Sequence, residues 1–222
     1  MLDKILSLKE GNNSVNEFCN ALRQGIPSAI FGVNEPFKSY LVGAVSDKVL
    51  LVVKDNITAW FSAELIKDYS GKKVVIVPAK DEVLLTNKAF SKERQHARLI
   101  ALSQVKTADV VIATPEALMQ YCPKNIAEFS ISLDQELTRE TAIKTLVDMG
   151  YVRVESVEGC GTFSVRGDML DVFPINKENP CRIEFFGDNV ENIKQFDVDT
   201  RKNLGRINLL NIISAVEFAF TD

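Results

Sequence analysis

From residue 161 to residue 202 the chain alternates apolar and polar side chains with period two and is cut at short intervals by Gly, Asp, Asn and Pro. That pattern fits consecutive short strands. Phe163 and Val165 alternate with Ser164 and Arg166, and Ile183 and Phe185 alternate with Arg182 and Glu184. Strand side chains switch faces at each residue, so Arg166, Arg182 and Glu184 fall opposite the apolar set. The segment therefore predicts an antiparallel sheet with an apolar inner face and a charged outer one. One of Phe185 and Phe186 is expected to face out, and Gly167 and Gly187 read as backbone requirements at a bulge and a turn.

Upstream lies a helix capped by Thr138, running through Leu146 and Met149 to Gly150, followed by strand character over residues 151–157. One helix beside an antiparallel sheet is an α+β layout. The first half reads differently. A capping box of Ser14 and Glu17 opens a helix that Gly25 stops, and short Val/Ile-rich runs at 28–31, 49–53, 74–77 and 110–113 read as buried strands. Helical stretches at 58–69 and 91–105, and one starting with Thr114 as N-cap and Pro115 at the first helical position, lie between or after them. Trp60 and Phe61 are expected in the core. Alternation of this kind predicts a parallel α/β sheet. The composition shifts near Pro123, and with PKNIAEF as linker the boundary falls at about residue 125.

The chain has 222 residues, 46% of them apolar and 25% charged, enough for two small cores. A formal net charge of −4 argues against holding DNA by bulk electrostatics, which needs clustered Lys and Arg. No run reaches the roughly 18 to 20 apolar residues of a membrane helix and no signal-peptide pattern opens the chain, so a cytoplasmic location is expected and no membrane partner. Cys19, Cys122, Cys160 and Cys181 form no CxxC pair and His96 is the only histidine, so they read as buried reduced thiols without metal. His96 reads as a surface residue.

Gly32, Glu35, Pro36, Phe37, Lys38 and Ser39 lie in GVNEPFKS, which has the length and both ends of a phosphate-binding loop. Phe37 replaces the second glycine, Pro36 removes an N–H donor, and Glu35 brings a negative charge to where polyphosphate would lie. Asp55 reads as a helix cap and Asp109 precedes its strand, so neither suits a magnesium ligand. The loop reads as non-functional, with no catalytic residue and no cofactor in this segment.

The second half also resembles a known family. RGD at 166–168, DVFP at 171–174, RIEFFGD at 182–188 and the following Ile193, Phe196, Asp197 and Thr200 match, element for element, domain 2 of UvrB proteins and of bacterial transcription-repair coupling factors. The broken loop and the absence of tyrosine between residues 70 and 120 favour the coupling-factor side, with a UvrB fragment as the alternative. The resemblance implies a UvrB-like domain 1a over 1–125, domain 2 over 126–212 and the start of domain 1b over 213–222, where AVEFAFTD is similar to that family's PAxEF segment. It implies docking of UvrA through Arg153, Arg166, Arg182 and Glu184. It also implies that the chain is the amino-terminal part of an ATP-dependent DNA translocase that releases stalled RNA polymerase from double-stranded DNA, with ATP and magnesium held by the motor.

Overall fold

The computed structural model describes residues 13–45, 48–80 and 91–218. The cap preceding the first helix and residues 219–222 of the PAxEF-like segment lie outside the described residues. Contacts divide the chain into two units, the first running through Lys80 with Gln104–Gln120, the second running through Ser103 and from Tyr121 on.

The first unit is a parallel α/β layer. Helix α1 (Asn13–Arg23) starts at Asn13, so Ser14 lies inside it. Helix α2 (Glu35–Ala44) is capped by Asn34, and strand β1 (Val49–Val52) leads to α3 (Asn56–Ser70), capped by Asp55 through a 2.7 Å bond from the Thr58 N–H. Strands β2 (Val74–Val77) and β3 (Val110–Ala113) complete a parallel sheet of order β1-β3-β2. Helix α4 (Lys92–Gln104) precedes β3 in the chain, and Asp109 begins β3 by accepting the Lys73 N–H at 2.8 Å. Ala59, Ala63 and Ile66 of α3 bury against Val110 and Ile112, so small helix residues bring the backbone close to the sheet. Thr114 caps α5 (Pro115–Met119) as expected.

Two expectations fail here. Residues 28–31 form no strand: Pro27 brings no N–H, and Phe31 is 88% exposed rather than packed. Trp60 and Phe61 are exposed, because with Ala59, Ser62, Ala63 and Ile66 facing inward they fall on the far side of α3.

The second unit is α+β. Strand β4 (Glu128–Ser132) pairs antiparallel with β11 (Leu209–Ile213), so Glu128 and Phe129 of the expected linker belong to a strand. Helix α6 (Arg139–Asp148) is capped by Thr138. A sheet of order β10-β9-β8-β7-β6-β5 follows from β5 (Val152–Arg153), β6 (Thr162–Arg166), β7 (Met169–Phe173), β8 (Cys181–Phe186), β9 (Asn189–Phe196) and β10 (Asn203–Arg206). It is antiparallel except for β5 with β6. The strand expected over 151–157 shrinks to two residues, and 154–160 becomes a strap to β6.

Arg166 faces Met169 and Phe186 faces Asn189, so Gly167-Asp168 and Gly187-Asp188 are two-residue hairpin turns with their glycines at φ 56° and 59°. Only glycine takes that position cheaply. Gly167 thus serves a turn; the register shifts lie at Glu184/Phe185 and Asn203/Gly205 instead. Phe163, Leu170, Val172, Ile183, Phe185 and Ile193 form the core with Leu146 of α6 and Leu99 of α4. Cys19 and Cys181 are buried, whereas Cys122 and Cys160 are exposed on connecting loops; none of the four forms a disulfide.

Leu99 and Arg98 explain why α4, expected among the helices of the first sheet, counts with the second unit. The Arg98 Nε donates to Glu217 Oε1 at 3.1 Å, with both side chains buried. The Ala215 N–H donates to the Met149 carbonyl at 2.9 Å, which anchors the apolar tail next to it. Removing one member of a buried pair leaves the other charge less compensated. Glu217→Ala is expected to lower unfolding free energy by about 3–5 kcal/mol in urea titrations, with its circular dichroism at zero denaturant unchanged.

Candidate functional site

Strand register decides what the outer face of the six-stranded sheet presents. Across it, Arg206 faces Lys194, Lys194 faces Arg182, Arg182 faces Asp171, and Asp171 faces Ser164. The neighbouring row runs Asn192, Glu184, Met169, Arg166. Phe186, two residues beyond Glu184, lies on the same face and is 76% exposed, as is part of Met169. Phe185 is buried, so the pair divides as parity requires.

Of the residues expected to dock, Arg182 is the most constrained. Its Nε and Nη2 donate to the two oxygens of buried Asp171 at 2.7 and 2.8 Å, a fork-to-fork pairing. Asp171 pushes the guanidinium pKa further up, keeping it charged. Glu184 accepts from Lys194 Nζ at 2.7 and 2.9 Å and from Asn192 Nδ2 at 2.9 Å. These donors, Lys194 first, hold its carboxyl below the usual range. Glu184 therefore orients Lys194 as much as it offers a charge of its own.

Arg166 is exposed and donates to the Glu155 carbonyl at 3.0 Å. Arg153, on the edge strand, is exposed and register-paired with Phe163. The two arginines border one open depression of about 500 Å³ together with Glu155 and Val165. The structure thus gathers Arg166, Arg182 and Glu184 on one face; Arg153, register-paired with core-facing Phe163, has the opposite parity and meets Arg166 only in the depression at the sheet edge. Asp171, Lys194, Met169 and Phe186 join that face, although the sequence reading passed them over as site residues. Strand parity carried their signal, since Asp171 alternates with Leu170 and Val172.

The phosphate-loop-like segment is arranged otherwise. The helix begins at Glu35, inside the span a loop would occupy. The Phe37 N–H donates to Asn34 Oδ1 and the Lys38 N–H to the Asn34 carbonyl, each at 3.0 Å, so both donors are committed to the helix. Lys38 Nζ pairs with Glu35 at 2.6 Å. Ser39 is buried, beside a cavity of about 280 Å³ that Glu35, Lys54 and Thr58 also line.

His96, expected at the surface, is half-buried: a Cβ added to Gly161 would lie 3.2 Å from its ring, and burial lowers its pKa. Among the described residues, no group of three or more His, Cys, Asp or Glu could hold a metal ion, and no helix is long and apolar enough to cross a membrane.

A carboxyl whose pKa is depressed by folding contributes stability that is present above its unfolded pKa and lost as pH falls through its folded one. Lys194→Met removes the main cause for Glu184. The variant's unfolding midpoint should therefore fall less than the parent's between about pH 6 and about pH 3.5, as followed by urea titration.

The family model for the UvrB interaction domain matches residues 129–218. The transcription-repair-coupling factor of Myxococcus xanthus is 39% identical over 92 residues, 41% of this chain and 8% of that protein. The coupling factor of Bacillus subtilis is 22% identical over 97% of this chain and 19% of its own length. The UvrABC system protein B of Thermosipho africanus is 26% identical over 94% of this chain and 35% of its length. The chain thus spans about a third or less of each of these three relatives. Residues 129–218 thus match the UvrB interaction domain, and nearly the whole chain is similar both to transcription-repair-coupling factors and to UvrABC system protein B.

Proposed function

We propose that the outer face of the six-stranded sheet docks UvrA, and that the chain is the UvrA-recruiting module of a transcription-repair coupling factor. The observation that carries this reading is a cationic face on an acidic chain. Arg166, Arg182, Lys194 and Arg206 share that face with Asp171 and Glu184, while the whole chain carries a formal charge of −4. Two of the cations are held in place by carboxylates, and exposed Phe186 lies on the same face, at the β8–β9 turn. Arginine and an exposed aromatic ring on one face are the usual makings of a protein interface hot spot. Such a face suits a partner with acidic side chains.

In this reading the first unit is UvrB-like domain 1a, residues 126–212 are domain 2, and the segment from 213 opens domain 1b. The longer protein supplies the ATP-driven translocase and its magnesium, and meets double-stranded DNA and stalled RNA polymerase elsewhere. This segment performs no nucleotide chemistry, in keeping with the committed N–H groups at Phe37 and Lys38. A cytoplasmic location goes with that role. A UvrB fragment is the competing reading, and nucleotide binding separates the two.

Two experiments test it. In titrations against purified UvrA, Arg166→Ala should cost about 2–5 kcal/mol of affinity if it meets a buried carboxylate, and Arg166→Glu should cost more. Lys54→Glu, at a side chain 80% exposed on the first unit, is the control and should change little. Unaltered binding by folded Arg166→Glu and Arg182→Glu would refute the docking face. Separately, a fluorescent ATP analogue with magnesium should show no saturable binding tighter than about 0.1 mM, roughly −5.5 kcal/mol. Tighter binding would move the chain to the UvrB reading.

A further inference from the structure

Phe196 does not fit a solvated sheet face. It shares the side of Lys194 and Arg182 by strand parity, yet it is only 5% exposed. Its cover is cationic: the Arg182 guanidinium lies 5.4 Å from the ring centroid and that of Arg201 lies 5.5 Å from it. Both are within range of attraction to an aromatic ring.

Each guanidinium is also held from a second direction. Asp171 grips Arg182 through two bonds. Arg201 occupies a left-handed backbone position at φ 58°, its N–H donating to the Asp197 carbonyl at 2.9 Å. Asp197 Oδ1 accepts from both the Thr200 N–H and its hydroxyl at 2.7 Å, closing the turn that presents Arg201. Arg201 Nη2 donates to Ser156 Oγ at 2.6 Å, tying the strap between β5 and β6 to the same place. A guanidinium has five N–H donors. Asp171 takes two from Arg182 and Ser156 takes one from Arg201, so both arginines keep donors for a ligand.

Two cations on one ring repel each other, and Asp171, bonded to Arg182 but not to Arg201, leaves the second charge the less compensated. An incoming carboxylate offsets it and meets donors already fixed in direction. We propose that Arg182 and Arg201 form one cradle, floored by Phe196, that takes an acidic side chain of the docked protein. Arg201 is then a contact residue, and Asp171 a positioning residue acting through Arg182. This rests on the reading that the outer face docks UvrA.

The test is a set of titrations of the 222-residue chain with purified UvrA, each variant checked by circular dichroism. Arg201→Ala is expected to weaken binding about tenfold. Asp171→Asn, which keeps the shape and removes the charge, should do the same in the parent but add nothing in an Arg182→Ala background; a merely structural role would weaken both. Arg182→Ala with Arg201→Ala should cost less than the product of the single effects, as expected for two groups gripping one ligand. Should Asp171→Asn fail to fold, Arg201→Ala, at an exposed turn, carries the test with the double variant. Parent-like binding by Arg201→Ala while Arg166→Glu is weakened would overturn the cradle and leave the docking face standing. Parent-like binding by Arg166→Glu and Arg182→Glu together would overturn the docking reading, and the cradle with it. If the chain instead binds duplex DNA at physiological salt and Arg201→Ala abolishes that, the anion is a phosphate and the proposal is overturned.

Discussion

The second unit depends on strand register. Two glycine-first, two-residue turns lock β6 to β7 and β8 to β9, and the side-chain period of two then assigns every residue a face. A slip of one position would carry Phe163, Leu170, Ile183 and Ile193 into water and bury Arg182, Glu184 and Lys194. Apolar burial of roughly 1.5–3 kcal/mol per large side chain opposes that slip at each position. The core therefore sets the direction of the charges, and the make-up of the outer face follows from apolar burial on the other side of the sheet.

Once aimed outward, the charges are disciplined by pairing. A long cationic side chain in water samples many rotamers, and ordering it on binding costs free energy. Asp171 prepays that ordering for Arg182, while Glu184 and Asn192 form the setting for Lys194. Ion pairs that keep one side open to water add modestly to stability. Their weight here lies in geometry, since a guanidinium that has already lost its freedom docks with less to lose. Arg166, tied by one bond to a backbone carbonyl, is the looser member of the same face.

The first unit shows how a motif can keep its letters while its geometry changes. A phosphate loop works by leaving backbone N–H groups unspent and pointing at one spot. In GVNEPFKS the Asn34 side chain caps a helix that starts early, and the same N–H groups become helix donors. Lys38 lines the cavity beside it with its ammonium already paired to Glu35. The faults legible at Glu35, Pro36 and Phe37 are thus parts of one local choice, helix over nest.

Parity, turn chemistry and capping are local, and they were legible in the chain. They supplied the inward Phe163 and Ile183, the outward Arg166, Arg182 and Glu184, the caps at Asp55, Thr114 and Thr138, and the parallel sheet of the first half. Sequence could not say that residues 28–31 would stay unpaired, because a strand needs a neighbour's open edge as well as β-branched residues. Nor could it place Trp60 outside, since that required knowing which face of α3 meets the sheet. The pairing of Arg98 with Glu217 and the gathering of Asp171, Arg182 and Arg201 around Phe196 join residues distant in the chain. Only the tertiary fold brings such groups within hydrogen-bonding distance, because side-chain chemistry acts over a few ångströms whatever the separation along the backbone.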